Sequence, residues 1–203
     1  MTDLHDKRLE KGGQTRQRII DAAISLAAAS GVQSVSAAKL AEVAEVSKSN
    51  VFHHFKTIEE LLSAALQQLT DIMLETMRTK FSDAEQFLDQ IGKMFVSVQE
   101  QEQQEQQATL FKTFLSFYHE GLFDARYAEI LEQSRVEMLE VITIQLRHVA
   151  VDVDQEQLEA ASALLLSLWD GLGLHYMSSG NHASIENAWK LQAELFRKQF
   201  FSK

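Results

Sequence analysis

The chain has 203 residues and a formal net charge of −10, a length that allows one or two modest domains. Cysteine is absent, which excludes disulfide bonds and thiolate metal sites. Proline is also absent, so helix boundaries must come from caps and glycines. We expect a cytoplasmic protein: the N-terminal region shows no signal peptide, and the longest apolar stretch, near residues 160–169, is about half of the ~20 residues that a membrane span needs.

The charge is unevenly distributed along the chain. Residues 1–56 contain eight Lys or Arg against six Asp or Glu, a net charge of +2, whereas the remainder carries −12. This asymmetry indicates a segment that faces a polyanion and a body that a polyanion would repel, although chance clustering alone would produce a similar difference.

Three short helical patterns open the chain. The first contains TRQRII from Thr15 and a run of small residues that ends at Gly31. Two shorter patterns follow, with only a tight turn around Val46 between them. Apolar residues share one face of each pattern, namely Leu40, Val43 and Ala44 in the first and Val51 and Phe55 in the second.

The second short pattern has the features of a reading helix. Ser47 can cap it, because a serine hydroxyl can accept a hydrogen bond from a free backbone N–H. Its outer face carries side chains that can bond base edges or phosphates, namely Lys48, Ser49, Asn50, His53 and His54. The pair therefore predicts a helix-turn-helix.

From Thr15 to Leu62, these motifs in order resemble the TetR family of bacterial regulators. The resemblance covers TRQRII, where it implies a helix start, the VSKSNVFHHF segment and the Glu-Glu-Leu-Leu run that ends at Leu62. Two residues depart from the family pattern: Phe52 stands where tyrosine is common, and Ile58 where lysine is common. Glu45 replaces the usual turn glycine, which indicates either a right-handed turn conformation or modest strain.

The resemblance implies a surface that contacts DNA, and a solvated surface is the alternative interpretation. The implied contact residues are Thr15, Arg16, Ser36, Lys39, Ser47, Lys48, Ser49, Asn50, His53, His54 and Lys56. Lys7, Arg8 and Lys11 add either a basic arm or a disordered tail.

Beyond residue 62 the chain is a predicted row of helices, so the predicted fold class is all-α. We expect a three-helix head over residues 1–62 and a helical effector-binding and dimerisation body over residues 63–203. Predicted caps are Thr57, Ser82 or Asp83, Asp124, Asp154 and Ser184, with a break at Gly180 and Asn181.

The resemblance also implies an apolar pocket for a small molecule in the body, although aromatic residues at helical spacing are usually core. The candidate lining residues are Phe95, Phe111, Phe114, Phe117, Tyr118, Met138, Trp169 and His175. The segments LSLWDGLGLHY and FKTFLSFYHEG faintly resemble the choline- and betaine-responsive members, and a cation would suit aromatic faces. The last two helices carry more apolar surface than one face needs, which predicts a homodimer.

No metal site, cofactor or catalytic arrangement is expected. Adjacent His53 and His54 diverge by about 100° on a helix, so both cannot hold one metal, and no motif pairs a nucleophile with a base. The leading hypothesis is a DNA-binding regulator, a ligand-released repressor of a palindromic operator. The alternatives are a helical small-molecule binder or enzyme with a degenerate head, and a dimeric architectural protein without an effector.

Overall fold

The computed structural model describes residues 2–78, 83–96, 101–178 and 182–201. Within these ranges every regular element is helical, which confirms the all-α class. The α-helices are α1 (Thr2–Ser30), α2 (Ala37–Val43), α3 (Lys48–His54), α4 (Ile58–Met77), α5 (Ala84–Val96), α6 (Gln101–Gly121), α7 (Ala125–Val149), α8 (Gln155–Ser178) and α9 (His182–Phe196). A short 3₁₀ turn spans Val32–Ser34, and a π-helical turn, Arg197–Phe201, follows α9. No helix in these ranges is both long and apolar enough to cross a membrane.

Apart from α3, four helices are capped by side-chain oxygens at the predicted residues. Asp83 accepts a hydrogen bond from the Gln86 N–H at 2.9 Å, and Asp154 accepts one from the Gln157 N–H at 2.8 Å. Asp124 accepts the Arg126 N–H at 3.0 Å, and the Thr57 hydroxyl accepts the Glu60 N–H at 3.1 Å. Each bond satisfies a backbone donor that a helix start leaves free.

Two predicted helix starts are wrong. α1 begins at Thr2, so Thr15 lies inside the helix, where its hydroxyl donates to the Lys11 carbonyl at 3.0 Å. α9 begins at His182, two residues before Ser184, which therefore does not cap it. In both cases the helix begins at an earlier residue than the one that resembles a cap. Ser82, Gly180 and Asn181 lie outside the described residues.

The chain forms two compact units. Unit 1 consists of Met1–Asp71 and Thr109–Glu132, and unit 2 of Ile72–Ala108 and Gln133–Lys203. Helices α4, α6 and α7 contribute residues to both units. Unit 1 thus contains residues beyond 62, where the DNA-binding head is predicted to end. That boundary between two functional domains stays a prediction.

The core of unit 1 forms where α1 to α4 turn their apolar faces inward. Its fully buried side chains include Ile19, Leu40, Val51, Phe55, Leu61, Leu66 and Leu69. Val43 is 48 % exposed, so the prediction that it shares the inner face with Leu40 and Ala44 is wrong. α2 has only two turns, and its neighbours cover a face too narrow to include Val43.

Hydroxyl groups of α6 bond backbone groups of α1 and of the turn after it, all within unit 1. Thr113 donates to the Ile24 carbonyl at 3.2 Å, and the Ser116 hydroxyl accepts the Val32 N–H at 2.8 Å. Between these contacts Gly31 has a φ of 81°, a left-handed conformation that suits glycine at the end of a helix. α6 therefore holds the segment that leads into α2.

Unit 2 has its own apolar core on the inner faces of α5, α7, α8 and α9. Its buried members include Phe87, Leu88, Met138, Ile142, Leu146, Leu165, Trp189 and Phe196. A Cβ atom on Gly92 would lie only 2.4 Å from the Trp189 Nε1, so glycine allows α5 and α9 to pack closely. At the rim, Arg197 donates to both carboxylate oxygens of Glu85 at 2.6 and 2.7 Å.

The turn between α2 and α3 is a left-handed helix end followed by a new cap. The Glu45 N–H donates to the Glu42 carbonyl at 3.2 Å, and the Val46 N–H to the Ala41 carbonyl at 2.9 Å. This pair of bonds defines a Schellman motif, which requires a left-handed residue. Glu45 has a φ of 54°, so the right-handed alternative is wrong and the strained one is confirmed.

We expect Glu45→Gly to raise the free energy of unfolding by about 0.5–1 kcal/mol. A non-glycine residue in the left-handed region costs roughly 1–2 kcal/mol, and the greater chain entropy of glycine offsets about half of this. Urea unfolding followed by circular dichroism measures the change. Glu42→Gly, inside α2, is the matched control and should lower stability by about 1 kcal/mol. Equal losses in both variants would contradict the strain at Glu45.

Candidate nucleic-acid interface

α3 separates an apolar face from a mixed outer face. Val51 and Phe55, at its C-cap, are 0 % and 2 % exposed. The exposed side chains of the helix are Lys48, Ser49, Phe52 and His53, whereas Asn50 and His54 are partly covered on its flank. The predicted reading face is therefore exposed at Lys48, Ser49 and His53, and less so at Asn50 and His54.

Ser47 caps α3, as predicted. Its hydroxyl accepts the Asn50 N–H at 3.1 Å and lies 2.8 Å from the Ser49 hydroxyl. The cap sets the direction of the first turn of α3 and leaves the Lys48 side chain exposed beside it.

Arg16 of α1 covers the C-terminal end of α3. Its guanidinium carbon lies 4.8 Å from the centre of the Phe55 ring, within the range of a cation–π contact. The rings of His53 and His54 meet edge to face at 5.3 Å. Burial, followed by the charges of His53 and Arg16, lowers the pKa of His54. Arg16, His53 and His54 thus bring three nitrogen-bearing groups to this end of α3, and the lowered pKa of His54 favours its neutral form.

The other predicted contact residues have their own intramolecular partners. The Thr15 side chain is buried. The Ser36 hydroxyl accepts the Lys39 N–H at 3.5 Å and caps α2, and the Lys39 ammonium donates to the Ser34 carbonyl at 3.2 Å. The Lys56 side chain is exposed, and its backbone N–H donates to the Glu60 carboxylate at 2.8 Å. Their contacts with DNA stay predictions.

Four of the candidate pocket residues belong to unit 1. Phe117 is fully buried, and its ring meets that of Tyr127 at 5.5 Å. Phe114 is also buried, and its ring lies 6.0 Å from that of Tyr118, which is half-exposed. Phe111 is partly buried. In this unit Phe117 and Phe114 contribute to the core.

The remaining candidates belong to unit 2. Met138 is in its buried core, Trp169 is partly buried against that core, and His175 is exposed. The Phe95 side chain lies outside the described residues. Beside Trp169, part of the Asp170 side chain reaches solvent, yet burial raises the pKa of its carboxyl group to about 6. Whether the candidates of the two units form one pocket stays a prediction.

Among the residues whose placement the structure describes, no group of three His, Cys, Asp or Glu side chains converges in a geometry that could hold a metal ion.

Phe52, which stands where the family commonly has tyrosine, also belongs to the outer face of α3, where its side chain is 48 % exposed. The residue spacing indicates this position, because Phe52 follows Lys48 by four residues and Ser49 by three. Residues at these spacings share a helix face.

Comparisons with known proteins agree with this geometry. Residues 19–65 match the family model described as bacterial regulatory proteins, tetR family. The chain is 22 % identical over 184 residues to the HTH-type transcriptional regulator BetI of Cronobacter sakazakii (strain ATCC BAA-894), covering 91 % of this chain and 90 % of the relative.

Solved structures share the fold. A transcriptional regulator from Rhodococcus sp. Rha1 superposes with a TM-score of 0.77 at 22 % identity, covering 93 % of this chain and 98 % of that one. A protein from Saccharomonospora viridis, described as a transcriptional regulator in complex with choline, has a TM-score of 0.75 at 16 % identity, covering 94 % and 100 %. Residues 19–65 thus match the TetR family of bacterial regulatory proteins, and the chain as a whole is similar to a helix-turn-helix transcriptional regulator and shares the fold of the solved regulators.

Proposed function

We propose that this regulator is a repressor that binds a palindromic operator as a homodimer and releases it when a small molecule binds the helical body. The observation that carries the proposal is the outer face of α3, where Lys48, Ser49 and His53 are exposed on a capped helix held by its apolar side. A helix so supported can enter the major groove with its outer side chains toward base edges and phosphates.

The polar chemistry of this face suits DNA. Lysine can bond guanine or a phosphate, and asparagine can bond adenine through both amide atoms, which gives Asn50 a role on the flank. Arg16 adds a positive charge near the end of α3. The net charge of +2 over residues 1–56, against −12 in the remainder, favours approach to DNA by this end of the chain.

Lys48→Ala should weaken binding to a duplex that the wild-type protein selects from random DNA. Loss of a base contact costs about 1–3 kcal/mol, or roughly 5–150-fold in affinity; loss of a phosphate contact reduces the salt slope by about 0.9. Fluorescence anisotropy over a series of salt concentrations distinguishes these cases. Lys112→Ala, which removes an exposed lysine from α6, is the control and should bind like the wild type. Equal behaviour of the two variants would contradict the proposed face.

The homodimer would form through α8 and α9. Both helices expose leucines about half to solvent, namely Leu164, Leu174, Leu191 and Leu195. On α8, Gly171 follows Leu164 by seven residues, and a Cβ atom placed there would meet nothing within 4 Å. Exposed leucines around a small residue support close pairing of α8 and α9 with the same helices of a second copy.

A double variant, Leu191→Glu with Leu195→Glu, should be monomeric at micromolar concentration and should lose affinity for the selected duplex. Charges at these exposed positions leave the buried core of unit 2 intact, whereas a charge at the fully buried Phe196 would disrupt it. Light scattering gives the mass, and circular dichroism checks the fold. Leu122→Glu, at another exposed leucine, should stay dimeric; a monomeric wild-type protein would refute the dimer.

The proposed effector is a small organic cation of the choline type. Support comes from the similarity to BetI and to the choline-bound Saccharomonospora viridis protein, and from aromatic side chains in the helical body, which attract quaternary ammonium groups. Trp169 is the candidate that lies partly exposed at the edge of the unit 2 core. Asp170 follows Trp169 in the sequence, and burial disfavours the charged form of its carboxyl group. A cation bound nearby would stabilise that charged form.

Choline chloride should weaken binding to the selected duplex by about 5–150-fold, the usual range for coupling between two sites. Trp169→Ala should reduce this response while binding of the duplex without choline stays nearly unchanged, and Trp169→Phe should retain much of it. Trp189→Phe leaves Trp169 as the sole tryptophan, so its fluorescence reports on the proposed site. A normal response of Trp169→Ala, with no fluorescence change on choline addition, would show that the effector binds elsewhere.

A further inference from the structure

Phe52 is an apolar residue on the outer face of a helix whose two other large apolar side chains are buried. Val51 precedes it by one residue and is fully buried, and Phe55 is buried one turn later, whereas Phe52 is 48 % exposed. At 100° per residue, Phe52 lies between Lys48 on one side and Ser49 and His53 on the other. All three of these neighbours are exposed.

A single exposed apolar side chain is common on protein surfaces and requires no explanation by itself. Phe52 differs because of its place, in the middle of the seven-residue helix that carries the proposed DNA contacts. Its phenyl ring can neither donate nor accept a hydrogen bond, so it can satisfy neither a phosphate nor the polar edge of a base. Whatever it contacts in a complex with DNA must be apolar.

In the major groove, the C5-methyl group of thymine is the apolar feature that distinguishes one base pair from another. We propose that Phe52 determines sequence specificity by packing against a thymine C5-methyl group in each half of the operator. The inference rests on the proposed function, in which α3 enters the major groove. Lys48 and Ser49, adjacent on the same face, would then bond the polar edges of neighbouring base pairs.

This contact would give Phe52 a role different from that of a tyrosine at the same position. A hydroxyl group can bond a phosphate oxygen, which positions a protein on any sequence. A phenyl ring against a methyl group contributes only where thymine is present. The residue would thus exchange a sequence-independent contact for a sequence-dependent one.

The test replaces each thymine of the selected duplex, one position at a time, with deoxyuridine, which removes only the methyl group. For the wild-type protein, one thymine in each half-site should show a loss of about fourfold in affinity, the value expected when one buried methyl-sized group is removed. At that position Phe52→Ala should bind the thymine and deoxyuridine duplexes equally, and Phe52→Tyr, which keeps the ring, should retain the preference. Fluorescence anisotropy at one fixed salt concentration measures all pairs.

Val43→Ala provides the matched control, because Val43 is also 48 % exposed and lies on α2. It should keep the wild-type preference for thymine. The inference is overturned if the wild-type protein shows no loss at any thymine, or if Phe52→Ala keeps the full preference. If the protein selects no sequence from random DNA, the proposed function fails as well; selection without thymine preference overturns only the role of Phe52.

Discussion

The orientation of α3 depends on the hydrogen-bonded turn between Ala41 and Asn50. Two backbone bonds from Glu45 and Val46 close the end of α2, and the Ser47 hydroxyl opens α3 immediately afterwards. Because no flexible linker separates the two helices, their mutual angle follows from these bonds. A helix of seven residues is unstable in isolation, so α3 also requires the burial of its apolar side in the core.

The polar contacts around this turn support it from outside α2 and α3. Arg16 of α1 packs over the Phe55 ring at the end of α3. The Ser116 hydroxyl of α6 binds the Val32 N–H in the turn that leads into α2. A region that contacts a ligand benefits from such support, because a contact is lost when side chains are misplaced by about an ångström. Part of this support comes from α6, whose segment in unit 1 lies far along the chain from α2 and α3.

The sequence predicted best those interactions that join residues only a few positions apart. Thr57, Asp83, Asp124 and Asp154 were predicted correctly as caps, because a cap involves a side chain and a backbone N–H only a few residues away. Thr15 was misjudged because a polar residue that resembles a helix start can also lie inside a helix, bonded to the carbonyl four residues earlier.

Exposure was harder to predict than periodicity. Val51 and Phe55 were assigned correctly to the inner face, whereas Val43 was not. A helical pattern shows which residues share a face, but the width of the covered face depends on how neighbouring helices pack against it. For Phe52 the spacing itself indicates the outer face, because it follows Lys48 by four residues and Ser49 by three.

The sequence by itself determined the helical class, the helix-turn-helix and five caps, because each follows from residues within one or two turns of one another. Only the structure decided that Glu45 is left-handed. This conformation allows the two backbone bonds that end α2 directly before α3. It also decided the contact of Arg16 with Phe55, the bonds from α6 to α1 and to the turn after it, and the membership of the two units. These features join residues up to 89 positions apart, and no local pattern specifies which distant segments will meet.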